Sequence, residues 1–224
     1  MVTIPQPITM LADREQRIAM TYDEFLARVD ETVHAEWANE EAIIFMPPED
    51  RHQALLGFLH LLVAGFVELL DLGIVRIAPF EMRALPGGPA REPDLLFLAR
   101  EHLSRLTDKG LVGPADLVIE IISPSSVGRD RADKFYEYQE ARIREYWLID
   151  PRIGKERIDV FVLGDDGKYR AVLPDAEGRY RAQVLPGFWL NPGWLWQESQ
   201  PSALIALMQI IPDRLQVRPL ASEQ

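Results

Sequence analysis

Apolar positions along the chain recur with two periods, and the places where the period changes mark the elements. "MTYDEF" opens a helix: Thr21 and Glu24 make a capping box, Met20 and Phe25 a hydrophobic staple, and the pattern runs to about Val29. "EEAIIFMPP" reads as a short strand stopped by Pro47 and Pro48. "DRHQALLGFLHLLVAGFVELLDLG" predicts a long helix with Asp50 as its N-cap and Gly73 as its stop. "IVRIAPFEMRAL" and "PDLLFLAR" predict strands on either side of the turn-rich "PGGPARE", and "REHLSRL" a short helix. "ADLVIEIIS" is a near-continuous apolar strand of the kind buried on both faces. The amphipathic "DRADKFYEYQEAR" and the strand "EYWLIDP" follow it, which predicts a right-handed crossover between parallel strands.

Beyond Pro151 the pattern turns all-β. "RIDVFVL" and "KYRAVL" flank the hairpin signal "GDDG", "YRAQVLPGFWL" adds one or two strands, and "SALIALMQII" is a short helix. The order predicts a mixed α/β fold: a mixed sheet flanked by helices, with extra antiparallel hairpin strands in the C-terminal part. One domain over residues 20–196 is expected, between a tail at 1–19 and a short helix and tail at 197–224.

Composition narrows the function. The 224 residues suffice for one well-packed core. With 24 Lys and Arg against 35 Asp and Glu, the formal charge of −11 excludes gripping nucleic acid through the overall field, so any such contact needs a local basic patch. Arg129, Arg131, Lys134, Arg142 and Arg144 are the cluster expected to supply it. No cysteine is present, which excludes disulfides, Cys-ligated zinc and thiol catalysis. The start lacks the basic and apolar regions of a signal peptide, so a cytoplasmic location is expected. His60, Glu68 and Asp71 interrupt the apolar stretch 54–73, which is read as a buried helix rather than a membrane span. That long apolar helix also suggests a homodimer.

The candidate chemistry centres on Glu120, an acid inside "VIEII" with Val118 and Ile122 on its own strand face. A buried carboxylate needs compensation, either from a buried cation or from a metal ion. Asp94 begins another apolar strand in "EPDLLFL", and if the two strands are neighbours their carboxylates converge. Hard oxygen ligands of that kind suit Mg²⁺ or Mn²⁺, with the Ile121 carbonyl as a third candidate ligand. Lys134 lies on the helix leaving the Glu120 strand, with Asp130 and Tyr138 at helical spacing on the same face. Two acids, a lysine and a metal make a workable site for phosphodiester hydrolysis. The alternative is a Glu120–Lys134 ion pair in a non-catalytic binding or assembly module. Ser123, Ser125 and Ser126 lack a nucleophile elbow, and "PGGP" and "GDDGK" lack phosphate-loop spacing.

In this order "PDLLFL", "DLVIEIISPSS", "DRADKFYEY" and "IREYWLIDP" resemble a large bacterial family, long catalogued as a domain of unknown function and then as restriction endonucleases, within the PD-(D/E)XK nuclease superfamily. The resemblance covers about residues 20–190 and implies a restriction-endonuclease-like fold, DNA as substrate and Mg²⁺ or Mn²⁺ as cofactor. The motif aspartate falls on Asp94 and the motif glutamate on Glu120. The lysine expected two residues later is Ile122 here, and the resemblance moves that role to Lys134. Glu36 and Glu41 match acidic positions of the family's N-terminal pattern, and His52 matches its histidine at the start of the long helix.

Overall fold

The computed structural model describes residues 15–29, 35–45, 50–123, 126–197 and 199–214. A six-stranded mixed sheet organises them. From edge to edge its strands, numbered in chain order, are β12 (Tyr169–Val172), β11 (Arg157–Leu163), β10 (Glu145–Asp150), β9 (Leu117–Ile121), β6 (Leu95–Ala99) and β4 (Gly73–Ile77). β9 and β10 run parallel and every other neighbouring pair antiparallel. Between β9 and β10 the chain forms a π-helical turn, Arg129–Asp133, and the helix α3 (Lys134–Glu140). Three small sheets complete the strand set: β1 (Glu15–Ala19) with β3 (Glu41–Phe45) and β2 (Ala35–Ala38), β5 (Met82–Arg83) with β8 (Gly110–Val112) and β7 (Leu106–Thr107), and β13 (Tyr180–Arg181) with β14 (Trp189–Leu190).

Each face of the large sheet has its own core. One is covered by α2 (Asp50–Leu69) and α4 (Ala203–Ile210): Leu55, Leu59, Leu62 and Phe66 of α2 pack with Leu95, Phe97, Leu117, Ile119 and Trp147. α2 is the one helix among the described residues long and apolar enough to cross a membrane, yet its apolar stripe lies on this core. Gly65 lets α4 approach closely, because a Cβ there would stand 2.8 Å from Leu207 Cδ2. The opposite face gathers Leu96, Leu98, Val118, Ile122, Tyr138, Tyr146 and Leu148. Period-2 alternation along β9 therefore turns Glu120 to the α3 side, with Val118 and Ile122, as its sequence position predicts.

Most predicted elements form where the pattern puts them, including α1 (Tyr22–Arg28) with its reciprocal Thr21–Glu24 capping box. Two local readings change. The expected tail up to residue 19 contains β1, which pairs along β3. Its Gln16, Arg17 and Ala19 are exposed, so backbone pairing holds it and no apolar alternation announces it. Gly73 does more than stop α2: it opens β4 at φ +151°, where a Cβ would lie 2.1 Å from the Leu98 carbonyl oxygen. Pro47, Pro48, Ser125 and the tail beyond residue 214 lie outside the described residues.

A second buried acid ties the C-terminal strands to the sheet. Glu145, fully buried on β10, accepts from Trp147 Nε1 (2.7 Å), Gln183 N–H (2.8 Å) and Val184 N–H (2.9 Å). Glu145→Ala should cost about 2–4 kcal/mol in urea unfolding, because it strands three donors away from water. A loss under about 0.5 kcal/mol, the range of a neutral surface change, would remove the tether from the account.

Candidate active site

The site grows from the pairing of β6 and β9. Leu95 stands opposite Ile119, so the next step of the antiparallel register sets Asp94 opposite Glu120. Asp94 Oδ2 accepts from the Ile121 N–H at 2.6 Å, which fixes its carboxylate against the end of β9. Its Oδ1 faces His52 Nε2 at 3.2 Å, from the first turn of α2. Glu120 Oε1 receives the Lys134 ammonium at 2.9 Å and the Tyr138 hydroxyl at 2.7 Å.

Lys134 is shared. Its Nζ also meets Glu36 Oε1 at 3.0 Å and Asp130 Oδ1 at 3.5 Å. Glu36 comes from β2 and accepts Arg91 Nη1 at 3.0 Å through its other oxygen. Arg91 in turn forks onto Glu137 of α3, with Nε at 2.8 Å and Nη2 at 2.6 Å. Arg129 closes the ring with Nε 3.9 Å from Glu36 and its guanidinium over the Phe45 ring. Glu36, Arg91, Glu120, Arg129, Asp130 and Lys134 are all buried.

Burial and charge sort these acids. Burial alone would raise Glu36, but Lys134, Arg91 and Arg129 outweigh it and hold the carboxyl at about 2. Glu120 is pushed up to about 8, by burial first, with the relief from Lys134 offset by Asp130, Asp94 and Glu36. Lys134 is raised despite its burial because Glu120, Glu36 and Asp130 surround it, so the ammonium stays charged. His52 is also raised: Asp94 and Glu120 overcome the effect of burial, with the Ile121 carbonyl adding to theirs. Tyr138 keeps its proton, buried against Glu120.

The fold thus brings together Asp94, Glu120, Lys134, Tyr138, Glu36 and His52. Glu41 stays apart, half-exposed on β3 beside Arg17. The basic cluster expected at the cleft is dispersed: Arg129 and Lys134 lie in the buried network, and Arg131 is bound to Asp150 and Asp159. Arg91 is the participant that sequence reasoning missed. Asp130 carried a signal, one helical turn before Lys134, whereas a lone Arg three residues before Asp94 carries none. Among the described residues no three His, Asp or Glu side chains form a ready metal-ligand set.

A mixed sheet with two acids converging on one strand end defines the restriction-endonuclease-like class of α/β fold. The model of the Uma2 family, described as "Putative restriction endonuclease", matches residues 22–193, and the chain belongs to that family. A solved structure from Anabaena variabilis, titled as a putative nuclease belonging to DUF820, is similar with a TM-score of 0.60 and 19% identity. The match covers 78% of this chain and 96% of that one, which shows the shared fold. No curated protein matches the chain.

The raised acid makes stability depend on pH. Glu120 has a folded pKa of about 8 against 4.5 in the unfolded chain, so its contribution is complete below 4.5 and is lost as pH rises towards 8. Each unit in that window costs up to about 1.4 kcal/mol from one group. Metal-free protein followed by chemical unfolding from pH 5 to 8 should lose stability, and Glu120→Gln should flatten the slope. Glu92, also raised to about 8, keeps some slope in the variant. An identical slope in both proteins would show that Glu120 does not titrate there.

Proposed function

We propose that this chain is a metal-dependent endonuclease that hydrolyses phosphodiester bonds in DNA. Asp94 and Glu120 hold Mg²⁺ or Mn²⁺, the Ile121 carbonyl is the third candidate ligand, and Lys134 assists the attacking water. The observation that carries this reading is the convergence of Asp94, Glu120 and the charged Lys134 at the end of β9. Cytoplasmic action and a homodimeric assembly belong to the same reading.

The donor set fits such an ion. It is two carboxylates and a backbone carbonyl, all hard oxygen, and Mg²⁺ characteristically uses one or two carboxylates with water and substrate phosphate filling the rest of its shell. The charge fits too, because burial first and then Asp130, Asp94 and Glu36 raise Glu120, and a dication would offset both the desolvation and the repulsion. When bound, the ion supplies polarisation of the phosphoryl oxygen and a water of lowered pKa.

The protein's own groups do the rest. The Ile121 N–H and His52 hold the Asp94 carboxylate in one orientation. Tyr138 and Lys134 both bind Glu120 through Oε1, and no hydrogen bond among the described residues engages Oε2. The Lys134 ammonium, kept charged by Glu36 and Asp130, orients water by hydrogen bonding and stabilises the negative charge that develops on the phosphate. A second reading, a non-catalytic module built on the Glu120–Lys134 ion pair, draws on the 2.9 Å contact itself.

Purified protein with Mg²⁺ or Mn²⁺ should cleave DNA, with Asp94→Ala and Glu120→Ala falling to background. Lys134→Met should lose about 100–1,000-fold in rate, the scale of removing one transition-state donor. Equal activity in the carboxylate variants would end the proposal. Metal should also raise the melting temperature of the wild type and not that of Asp94→Asn; no shift at high metal favours the ion-pair module.

A further inference from the structure

A pocket of about 400 Å³ opens beside the carboxylate site. Arg51, His52, Ile122, Ser123, Arg152 and Lys155 line it. Its connection to the site is direct: His52 reaches Asp94, and Ile122 follows Ile121 at the end of β9. The volume suits a nucleotide-sized group and is too small for a protein element.

Its wall is basic in a protein of net charge −11. Arg152 is braced in place, with Nε and Nη2 on the two Asp150 oxygens at 2.8 and 2.7 Å. Asp150 is itself buried and also shared with Arg131, so its charge is more than matched. Arg51 has only a 3.8 Å contact with Glu156, and Lys155 has no ion pair among the described residues. His52 Nδ1 is buried without a hydrogen-bond partner among the described residues, while Nε2 is spent on Asp94. Cations held loosely or not at all by carboxylates, next to a site built from acids, select an anionic group that continues past those acids.

We propose that this pocket seats a backbone phosphate of the nucleic-acid strand, next to the phosphodiester at Asp94 and Glu120, with Arg51 and Lys155 as its principal contacts. The inference rests on the nuclease reading and gives it a route for the strand. It also resolves the conflict between an acidic chain and a polyanionic substrate. The cationic groups that meet the backbone are confined to one pocket, and the buried guanidinium groups of Arg91 and Arg129 serve the fold instead.

The test is fluorescence anisotropy of a labelled DNA oligonucleotide in EDTA, where no cleavage interferes, across a range of NaCl concentrations. Arg51→Ala/Lys155→Ala should bind at least tenfold more weakly, and its slope of log affinity against log salt should fall by about 1, for the one phosphate no longer neutralised. Lys109→Ala, at a different surface pocket, is the control and should bind as the wild type does. Unchanged affinity and slope in the double variant would overturn the proposal. So would wild-type protein that binds inorganic phosphate but not the oligonucleotide. Binding that depends on Arg51 and Lys155 in a protein that never cleaves would retain the pocket and reject the nuclease. Cleavage with unaltered binding in the double variant would do the reverse.

Discussion

The ammonium of Lys134 is the contact on which the candidate site depends. It stands within 3.5 Å of carboxylates from three separate stretches of chain: Glu120 on β9, Glu36 on β2, and Asp130 in the turn before α3. Removed from water without that charge, the three acids would repel one another at close range in a medium that screens poorly. With it, the small N-terminal sheet, the large sheet and α3 share one ionic centre. Arg91 extends the centre outward by joining Glu36 to Glu137, so the helix carrying Lys134 is held from both ends of the network.

This arrangement divides the basic residues by task. Guanidinium groups that look available in the sequence are consumed inside the protein, where they neutralise buried acids. Their planar forks suit that role, since Arg91 and Arg152 each bind a carboxylate through two nitrogens. Arg51 and Lys155, by contrast, meet solvent beside the carboxylate site, where α2 begins and just past the end of β10. Net charge therefore says little about what one pocket of the surface attracts, because the local field follows the unpaired charges nearest to it.

The two faces of β9 show how a strand can be structural and chemical at once. Leu117, Ile119 and Ile121 seal the core under α2, while Val118 and Ile122 do the same beneath α3. Glu120 is the single polar interruption, and its rigidity comes from the apolar residues on both sides. Asp94 gains comparable definition at the end of β6, from one backbone N–H and one imidazole. Carboxylates held in this way move little, which is what the proposed phosphodiester chemistry would need of them.

Much of this was legible in the chain. Alternation and helical spacing located the long helix, the doubly buried strand, the crossover and the C-terminal hairpins, because burial imposes those periods directly on the residues. Asp94, Glu120 and Lys134 stood out because each breaks or borders such a pattern. No such pattern marks Glu36, Arg91 or His52, and only the family resemblance pointed to Glu36 and His52: they act through partners 55, 46 and 42 positions away, counted as Arg91 to Glu36, Arg91 to Glu137, and His52 to Asp94. β1 left no strong signal either, being short and held largely by backbone pairing, and β2 is a four-residue strand whose buried positions carry two alanines and an acid. Local period and composition determined the elements and the odd acids among them. Which charges meet, which acid stays protonated and which cations remain free were decided only when distant segments packed, since ion pairing and desolvation depend on distance in space and not along the chain.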